Sequence, residues 1–180
     1  TYRAGQLTTR QYWDVPVGGT LSVSEPRAVA QVEHLLLDSV RRRLISDVPL
    51  GAFLSGGVDS SLIVAMMRRA GVRPLITQAI EVQPDDARYD IAPADAPYAR
   101  RIRDLVGGLD YHEIMLRPSI IDLLPRLSWH MADPVADPAA ISTLLICRAA
   151  KEHATVMLSG MGAEELFAGY RRHRAALMGE

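Results

Sequence analysis

The sequence predicts an α/β protein with a mainly parallel sheet flanked by helices. Short apolar runs, several of them rich in β-branched residues, alternate with longer segments of helical periodicity along the 180 residues. Parallel strands need such helical crossovers, so this alternation favours a parallel sheet. The composition, 48% hydrophobic and 23% charged, is ordinary for a domain that buries a core.

The elements are predicted in order from periodicity and chain breakers. Residues 1–24 are weakly patterned, and Trp13 among them is predicted to be a packing anchor. From Pro26 to Ile45, apolar residues recur at helical spacing. The remaining strands are predicted at 52–54, 75–82, 111–116 and 155–158, and the last of them is predicted to be short and buried. A loop is predicted at 85–97, and helices at 61–70, 98–106, 120–131 and up to about 153.

The most informative stretch is the first segment, residues 55–61, which reads Ser-Gly-Gly-Val-Asp-Ser-Ser after an apolar run. Gly56 and Gly57 can adopt positive φ and bring backbone N–H groups close to an anion at a helix N-terminus. A carboxylate such as Asp59 beside phosphate oxygens is expected to hold Mg²⁺. The alternative is a tight strand–helix turn with a Ser or Asp cap, and the segment alone leaves both open.

The second segment, residues 159–170, repeats the pattern of a glycine turn after an apolar run, with Glu164 and Glu165 at the start of a helix. Acids in a first helical turn also favour the helix dipole, so an ordinary structural explanation stands beside the functional one. Ligands bind beyond the carboxyl ends of parallel strands. If the strands that precede the two segments, 52–54 and 155–158, are neighbours in the sheet, both segments face one ligand.

The two segments resemble known motifs. The first is similar to the Ser-Gly-Gly-x-Asp-Ser loop of the ATP pyrophosphatases, and the match from Asp47 to Ser61 resembles the synthetase domain of glutamine-dependent asparagine synthetases. The second resembles that family's Ser-Gly-(acid)-Gly-(small)-Asp-Glu-Leu-Phe-Gly-Gly-Tyr motif. The resemblance covers nearly the whole chain and implies an adenine nucleotide alpha-hydrolase-like fold.

The resemblance also implies a set of site residues. Asp59 and Glu164 would be the catalytic residues and the Mg²⁺ ligands, and the Gly160 backbone would lie near the nucleotide. Leu54 and Ile80 would contact adenine through backbone and side chain. The rest of the ATP site would be the pyrophosphate loop, made of Ser55, Gly56, Gly57, Ser60 and Ser61.

Two positions depart from the family pattern. Glu164 stands where the family usually has Asp, and Met161 stands where asparagine synthetases carry a glutamate thought to assist proton transfer. A thioether has no useful acid–base chemistry, and the related β-lactam-forming synthetases place a tyrosine there. The sequence therefore supports ATP handling better than asparagine formation.

The function implied by the resemblance is an AMP-forming, ATP-dependent amide ligase. It would adenylate a carboxylate, aspartate in the first instance, release pyrophosphate and transfer ammonia to give the amide. One alternative is a relative that activates another carboxylate, such as a β-lactam, peptide-cyclising or sugar-acid amidating synthetase. Another is a nucleotide-binding module without turnover.

The net charge and the number of cysteines limit which binding partners and which cellular compartment fit this sequence. The net charge of −1 gives no argument for nucleic acid or membrane binding, and we find no signal peptide. The single cysteine, Cys147, leaves no internal disulfide, which fits a cytoplasmic protein, and its thiol is predicted to be buried and inert. The basic runs 41–43 and 171–174 read as solvated faces or subunit contacts, and a homodimer is one assembly open to the chain.

The resemblance leads to one more expectation. It implies that residues 1–24 are the linker from a missing N-terminal glutaminase domain and that residues 25–180 are the synthetase domain. The family's synthetases use a lysine that would fall beyond residue 180. Lys151 is the one lysine present. We therefore expect a synthetase domain truncated at its C-terminus that does not complete amide synthesis alone.

Overall fold

A computed structural model of the chain describes residues 1–14, 22–73, 75–82, 95–116, 120–133, 137 and 139–178. The chain divides into two compact units, residues 1–33 and residues 34–180. No helix within the described ranges is both long enough and apolar enough to cross a membrane.

The first unit contains a short antiparallel hairpin. Its strands are β1 (Tyr2–Arg3) and β2 (Gln6–Leu7), joined by Ala4 and Gly5, which have φ of 50° and 80°. Two consecutive positive φ values suit a tight hairpin whose twist matches that of its strands. The sequence prediction missed this hairpin because two-residue strands are too short to show alternation. Trp13 is 69% exposed, so its prediction as a packing anchor was wrong.

Helix α1 (Glu25–Arg43) begins in the first unit and ends in the second. An acid in its first turn and three arginines in its last turn complement the helix dipole. Val40 is buried in the core of the second unit, where Leu36 and Leu37 pack against it. The predicted amphipathic helix is therefore present, and it ends two residues before the predicted Ile45.

The second unit is built on a four-stranded parallel sheet of order β5-β4-β3-β6. Its strands are β3 (Leu50–Phe53), β4 (Leu75–Val82), β5 (Leu109–Leu116) and β6 (Val156–Leu158). From β3 the chain adds β4 and then β5 on one side, and it later places β6 on the other side of β3. The strand order thus reverses between β3 and β6, which is where open α/β sheets bind ligands.

Helices connect and flank these strands, which confirms the predicted fold class. The helices after α1 are α2 (Val58–Arg69), α3 (Asp95–Val106), α4 (Ile120–Met131), α5 (Ala139–Ala150), α6 (Ala163–Phe167) and α7 (Arg171–Met178). Helix α2 packs on β3, β4 and α3, whereas α3 packs on β4 and β5. Helix α5 packs on α4, β4 and β5.

The core lies between the sheet and these helices. Leu54, Val64 and Met67 are among its fully buried side chains. Gly51, in the middle of β3, has no space for a side chain because a Cβ there would lie 2.8 Å from the Ile76 carbonyl oxygen. The core is completed by Val40, Ala52, Met66, Ala79, Ala99 and Leu158.

Helix α3 begins at Asp95, so residues 95–97 are helical rather than part of the predicted loop. Ala96 and Ala99 are completely buried, and this burial favours a helix that begins about one turn before the predicted start. Pro97 is tolerated because the first turn of a helix does not need its missing N–H group. The rest of the predicted loop that precedes α3 lies outside the described residues.

Two predictions about burial were wrong. Cys147 is exposed, although it lies in the apolar helix α5. The strand predicted at 155–158 is β6, and only Leu158 is buried in it, while Val156 is exposed. In the described sheet β6 is an edge strand, paired with β3 alone, which leaves the start of β6 open to solvent.

Candidate functional site

The two glycine-containing segments start from neighbouring strands. Ala52 of β3 pairs with Leu158 of β6 in parallel register, and the first and second segments follow these positions in the chain. Parallel neighbours end at the same edge of a sheet, so both segments emerge side by side. The neighbouring strands that a joint site requires are therefore present.

Hydrogen bonds around Ser60 hold the first segment together. The Ser55 N–H donates to Ser60 Oγ (3.2 Å), and the two hydroxyl oxygens lie 2.9 Å apart. Ser60 Oγ donates to the Gly57 carbonyl oxygen (3.3 Å), and the Gly57 N–H donates to Ser55 Oγ (3.3 Å). A hydroxyl has one proton and two lone pairs, so these contacts use the full capacity of Ser60.

The two glycines of the first segment have different backbone conformations. Gly56 has φ of +84°, and a Cβ there would lie 2.4 Å from backbone atoms of Tyr98 and Ala99. Gly57 has φ of −65° and ψ of 163°, and a Cβ there would meet only Ser55 Oγ, at 3.4 Å. The positive φ expected of both glycines is therefore found at Gly56 alone. A side chain at Gly57 would fit the fold.

Helix α2 begins directly after Gly57, three residues before its predicted start at Ser61. The first backbone bond into the helix runs from the Ser61 N–H to the Gly57 carbonyl oxygen, 3.0 Å away. Gly57 caps the helix without a side-chain bond, so the N–H groups of the first turn have no capping oxygen from that residue. Together with the helix dipole, such N–H groups form an anion-binding end.

The second segment packs directly on this helix end through Gly160. A Cβ on Gly160 would lie 2.8 Å from both the Asp59 carbonyl carbon and the Ser60 nitrogen. The Met161 N–H donates to Ser159 Oγ (3.1 Å), which shapes the turn. Gly162 precedes α6 with φ of +98°, a conformation that favours glycine.

The two segments enclose a cavity of about 360 Å³. Three carboxylate side chains line it, those of Asp59, Glu164 and Glu165, and none of its described lining residues is Lys or Arg. Three carboxylates without a lining cation disfavour a bare anion, so the lining suits a ligand that carries a cation with it. Its other lining residues are Phe53, Ser55, Ser60, Ser159, Gly160, Met161, Gly162 and Tyr170.

The end of the second segment contacts both acids of α6. The Tyr170 hydroxyl donates to Glu165 Oε1 at 2.5 Å, and this bond lowers the pKa of Glu165 while it raises the pKa of Tyr170. The Arg172 guanidinium lies 4.2 Å from the centre of the Tyr170 ring. Glu164 lies against Gly169, where an added Cβ would be 2.9 Å from Glu164 Cγ.

The oxygen ligands in the cavity suit a magnesium ion that arrives with a phosphate ligand. Mg²⁺ usually takes one or two protein carboxylates and completes its shell with phosphate oxygens and water. Asp59 and Glu164 both line the cavity and supply such carboxylates. The described residues contain no cluster of three or more His, Cys, Asp or Glu side chains that could bind a metal by themselves.

The structure brings five of the sequence-predicted site residues to one cavity. They are Ser55, Asp59, Ser60, Gly160 and Glu164. The cavity lining does not include Leu54, Gly56, Gly57 or Ser61.

Leu54, Ser61 and Ile80 differ in what they offer a ligand. Leu54 is 1% exposed as a whole residue and belongs to the core, and its predicted contact with adenine stays a prediction. The Ser61 hydroxyl is shielded and has no hydrogen-bond partner in the described part of the chain. Ile80 lies in β4, aligned with Ile114 of β5, and its predicted side-chain contact lies outside what the structure describes.

Sequence reasoning missed five lining residues besides Met161, namely Phe53, Ser159, Gly162, Glu165 and Tyr170. Glu165 and Tyr170 belong to the second motif, so their spacing of five residues was the available signal. Phe53 ends a strand and gave no such signal. Met161 is 91% exposed at the cavity and brings no titratable group to it.

Comparison with known proteins identifies the family. The sequence pattern of the family described as asparagine synthase matches residues 31–180. The chain is 34% identical to asparagine synthetase [glutamine-hydrolyzing] 1 of Bacillus subtilis over 96% of its own length and 26% of that protein's. It is 35% identical to a putative asparagine synthetase [glutamine-hydrolyzing] of Mycobacterium tuberculosis over 82% of its own length and 22% of that protein's.

Other relatives carry different names. Amidase chyE of Penicillium rubens is 30% identical over 95% of this chain and 27% of that protein. Among solved structures, an NH3-dependent NAD synthetase from Campylobacter jejuni aligns with a TM-score of 0.48 and 16% identity, over 78% of this chain and 60% of that one. The chain thus spans about a quarter of the length of the curated relatives it matches.

Proposed function

Because the chain belongs to the asparagine synthase family, we propose that residues 25–180 form an ATP-dependent, amide-forming synthetase domain, with residues 1–24 as its linker. The proposed substrates are ATP, a small carboxylate and ammonia. The observation that carries the proposal is the contact of Gly160 with the start of α2, because it joins the two family motifs at one cavity.

The chemistry begins with the activation of the carboxylate. A carboxylate oxygen attacks the α-phosphorus of ATP, the bond from that phosphorus to the β-phosphate oxygen breaks, and pyrophosphate leaves. The product is an acyl-adenylate. Ammonia then attacks the acyl carbon, the bond to the AMP oxygen breaks, and a proton passes to solvent. Each step depends on positioning and on neutralising the leaving group's charge.

Residues of both segments would bind the pyrophosphate, the metal ion and the nucleotide. The start of α2 would bind pyrophosphate through backbone N–H groups, within a turn that Ser60 holds rigid. Asp59 and Glu164 would hold Mg²⁺, which would supply positive charge to the leaving pyrophosphate. Ser55 and the Gly160 backbone would contact the nucleotide from the two sides of the cavity.

A second candidate is a synthetase of the same type that activates a carboxylate other than aspartate. Met161 supports it, because this exposed residue at the cavity has no acid–base chemistry where the family places a glutamate. Calorimetric titration of a panel of carboxylates, in the presence of a non-hydrolysable ATP analogue and Mg²⁺, distinguishes the two candidates.

The proposal is tested by calorimetric titration of the chain with MgATP, and with AMP followed by Mg²⁺-pyrophosphate. Hydrogen exchange of the first segment is followed in the same samples. We expect saturable heat and slower exchange of the amides near the start of α2. Absence of both signals would overturn the assignment of a nucleotide site.

A further inference from the structure

Resting on the proposed function, we propose that Arg100 and Glu113 are positioning residues for the pyrophosphate-binding turn. Their ion pair fixes α3 to β5, and α3 in turn supports Gly56 of the first segment. Neither residue lines the cavity between the two segments, so the proposed effect is transmitted through the helix.

The contact between Gly56 and α3 is the first step of the argument. A Cβ on Gly56 would lie 2.4 Å from the Ala99 nitrogen and 2.4 Å from the Tyr98 carbonyl carbon. Both are backbone atoms in the body of a helix, so they cannot yield by a change of rotamer. Ala96 and Ala99 are completely buried on this helix. The position of Gly56 therefore depends on the position of α3.

The ion pair that holds α3 is the second step. Arg100 Nε donates to Glu113 Oε2 at 3.0 Å, and a second guanidinium nitrogen donates to Glu113 Oε1. The Tyr111 hydroxyl also donates to Glu113 Oε2, at 2.7 Å. Two-point guanidinium–carboxylate contacts fix orientation as well as distance. The Glu113 side chain is 21% exposed and that of Arg100 is 42% exposed, so solvent screens this pair less than a pair at the surface.

Covalent continuity connects these two steps. Arg100 follows Ala99 directly in α3, so loss of the ion pair releases the helical turn that touches Gly56. Glu113 lies on β5, which is paired with β4 along its whole length and forms one edge of the described sheet. The geometry thus links strand β5 of the parallel sheet to the turn that would bind pyrophosphate. Small displacements of such a turn cost affinity, because backbone donors must meet the anion at fixed distances.

The test compares ligand affinity in Glu113→Gln and Arg100→Lys with that in the unmodified chain. Calorimetry gives Kd separately for Mg²⁺-pyrophosphate and for AMP, and hydrogen exchange reports on the Gly56 and Gly57 amides. We expect pyrophosphate binding to weaken about tenfold, AMP binding to change less than about twofold, and both amides to exchange faster. The control is Asp38→Asn, which breaks the exposed Asp38–Arg42 pair of α1.

Each outcome has a distinct meaning. If the unmodified chain binds neither ligand, the proposed function itself is overturned. If it binds pyrophosphate and both variants bind equally well, the positioning role is overturned and the proposed function stands. Equal weakening of AMP and pyrophosphate, or the same loss in the control, would indicate a general loss of folding and also overturn the positioning role. Arg100→Lys keeps the charge, so it keeps the test valid if Glu113→Gln does not fold.

Discussion

Gly160 and Asp59 are in contact across the two segments. A methyl group on the Gly160 α-carbon would lie 2.8 Å from the Asp59 carbonyl carbon and 2.9 Å from Asp59 Cβ. The contact brings the turn after β6 against the first turn of α2, and Asp59 and Glu164 line the same cavity beside it. The geometry of this cavity therefore depends on a position that has no space for a side chain.

Gly160→Ala is expected to separate the two segments, since the backbone atoms it would meet cannot rotate away. We expect a loss of about 1–3 kcal/mol in the free energy of unfolding and weaker binding of MgATP. Thermal unfolding and calorimetry measure the two effects. Gly57→Ala is the stability control, because its added methyl group would meet no atom closer than 3.4 Å. Equal stability of the two variants would contradict the contact.

Asp59→Asn is expected to weaken Mg²⁺-pyrophosphate binding by more than tenfold and AMP binding much less, since it removes a proposed metal carboxylate. Separate calorimetric titrations of the two ligands measure this difference. The matched control is Asp38→Asn, the same change at an exposed helix position. If both ligands lose equal affinity, Asp59 acts as a structural residue of the helix start.

Ser60 and Ser61 are adjacent, yet their hydroxyl groups are in opposite situations. Ser60 Oγ has three partners within the first segment, whereas Ser61 Oγ is shielded and lacks one among the described residues. We expect Ser60→Ala to cost about 1–2 kcal/mol of unfolding free energy and Ser61→Ala to change it by less than about 0.5 kcal/mol. Chemical denaturation gives both values. A reversed order would show that the hydroxyl contacts are misassigned.

Ala168→Gly is expected to stabilise the protein. Ala168 ends α6 with φ of +57°, a left-handed conformation that costs a residue with a Cβ about 1 kcal/mol relative to glycine. We expect the unfolding free energy to rise by about that amount, as measured by chemical denaturation. Ala175→Gly, in helix α7, is the control and should instead lower stability. Destabilisation by both variants would contradict the strain at Ala168.

Tyr111→Phe is expected to change the pH dependence of stability at high pH. Burial and the hydrogen bond to Glu113 raise the pKa of Tyr111 above its ordinary value of 10.0. Above that value the unfolded chain releases the phenol proton while the folded protein retains it, so this contribution to stability is complete below pH 10 and falls as pH rises. Denaturation between pH 8 and 11 should therefore show a shallower decline in the variant. Parallel curves would contradict the raised pKa.

The hydrophobic periodicity of the sequence predicted the strands of the parallel sheet and most of the helices. Residues 75–82 form the predicted strand and residues 120–131 the predicted helix, because long apolar periodicity favours a single element. Helix starts were less accurate. Both α2 and α3 begin three residues earlier than predicted, since a glycine cap in one case and buried alanines in the other extend the first turn.

By itself the sequence determined the class of fold and the two glycine-containing segments of the candidate site, since both depend on local patterns. The tertiary structure decided that β3 and β6 are neighbours, that Gly160 touches Asp59, and that Glu165 and Tyr170 join the cavity. It also decided that Cys147 is exposed and that the Ser61 hydroxyl lies away from the cavity. These facts depend on contacts between residues far apart in the chain, and no local pattern of hydrophobicity or spacing encodes such contacts.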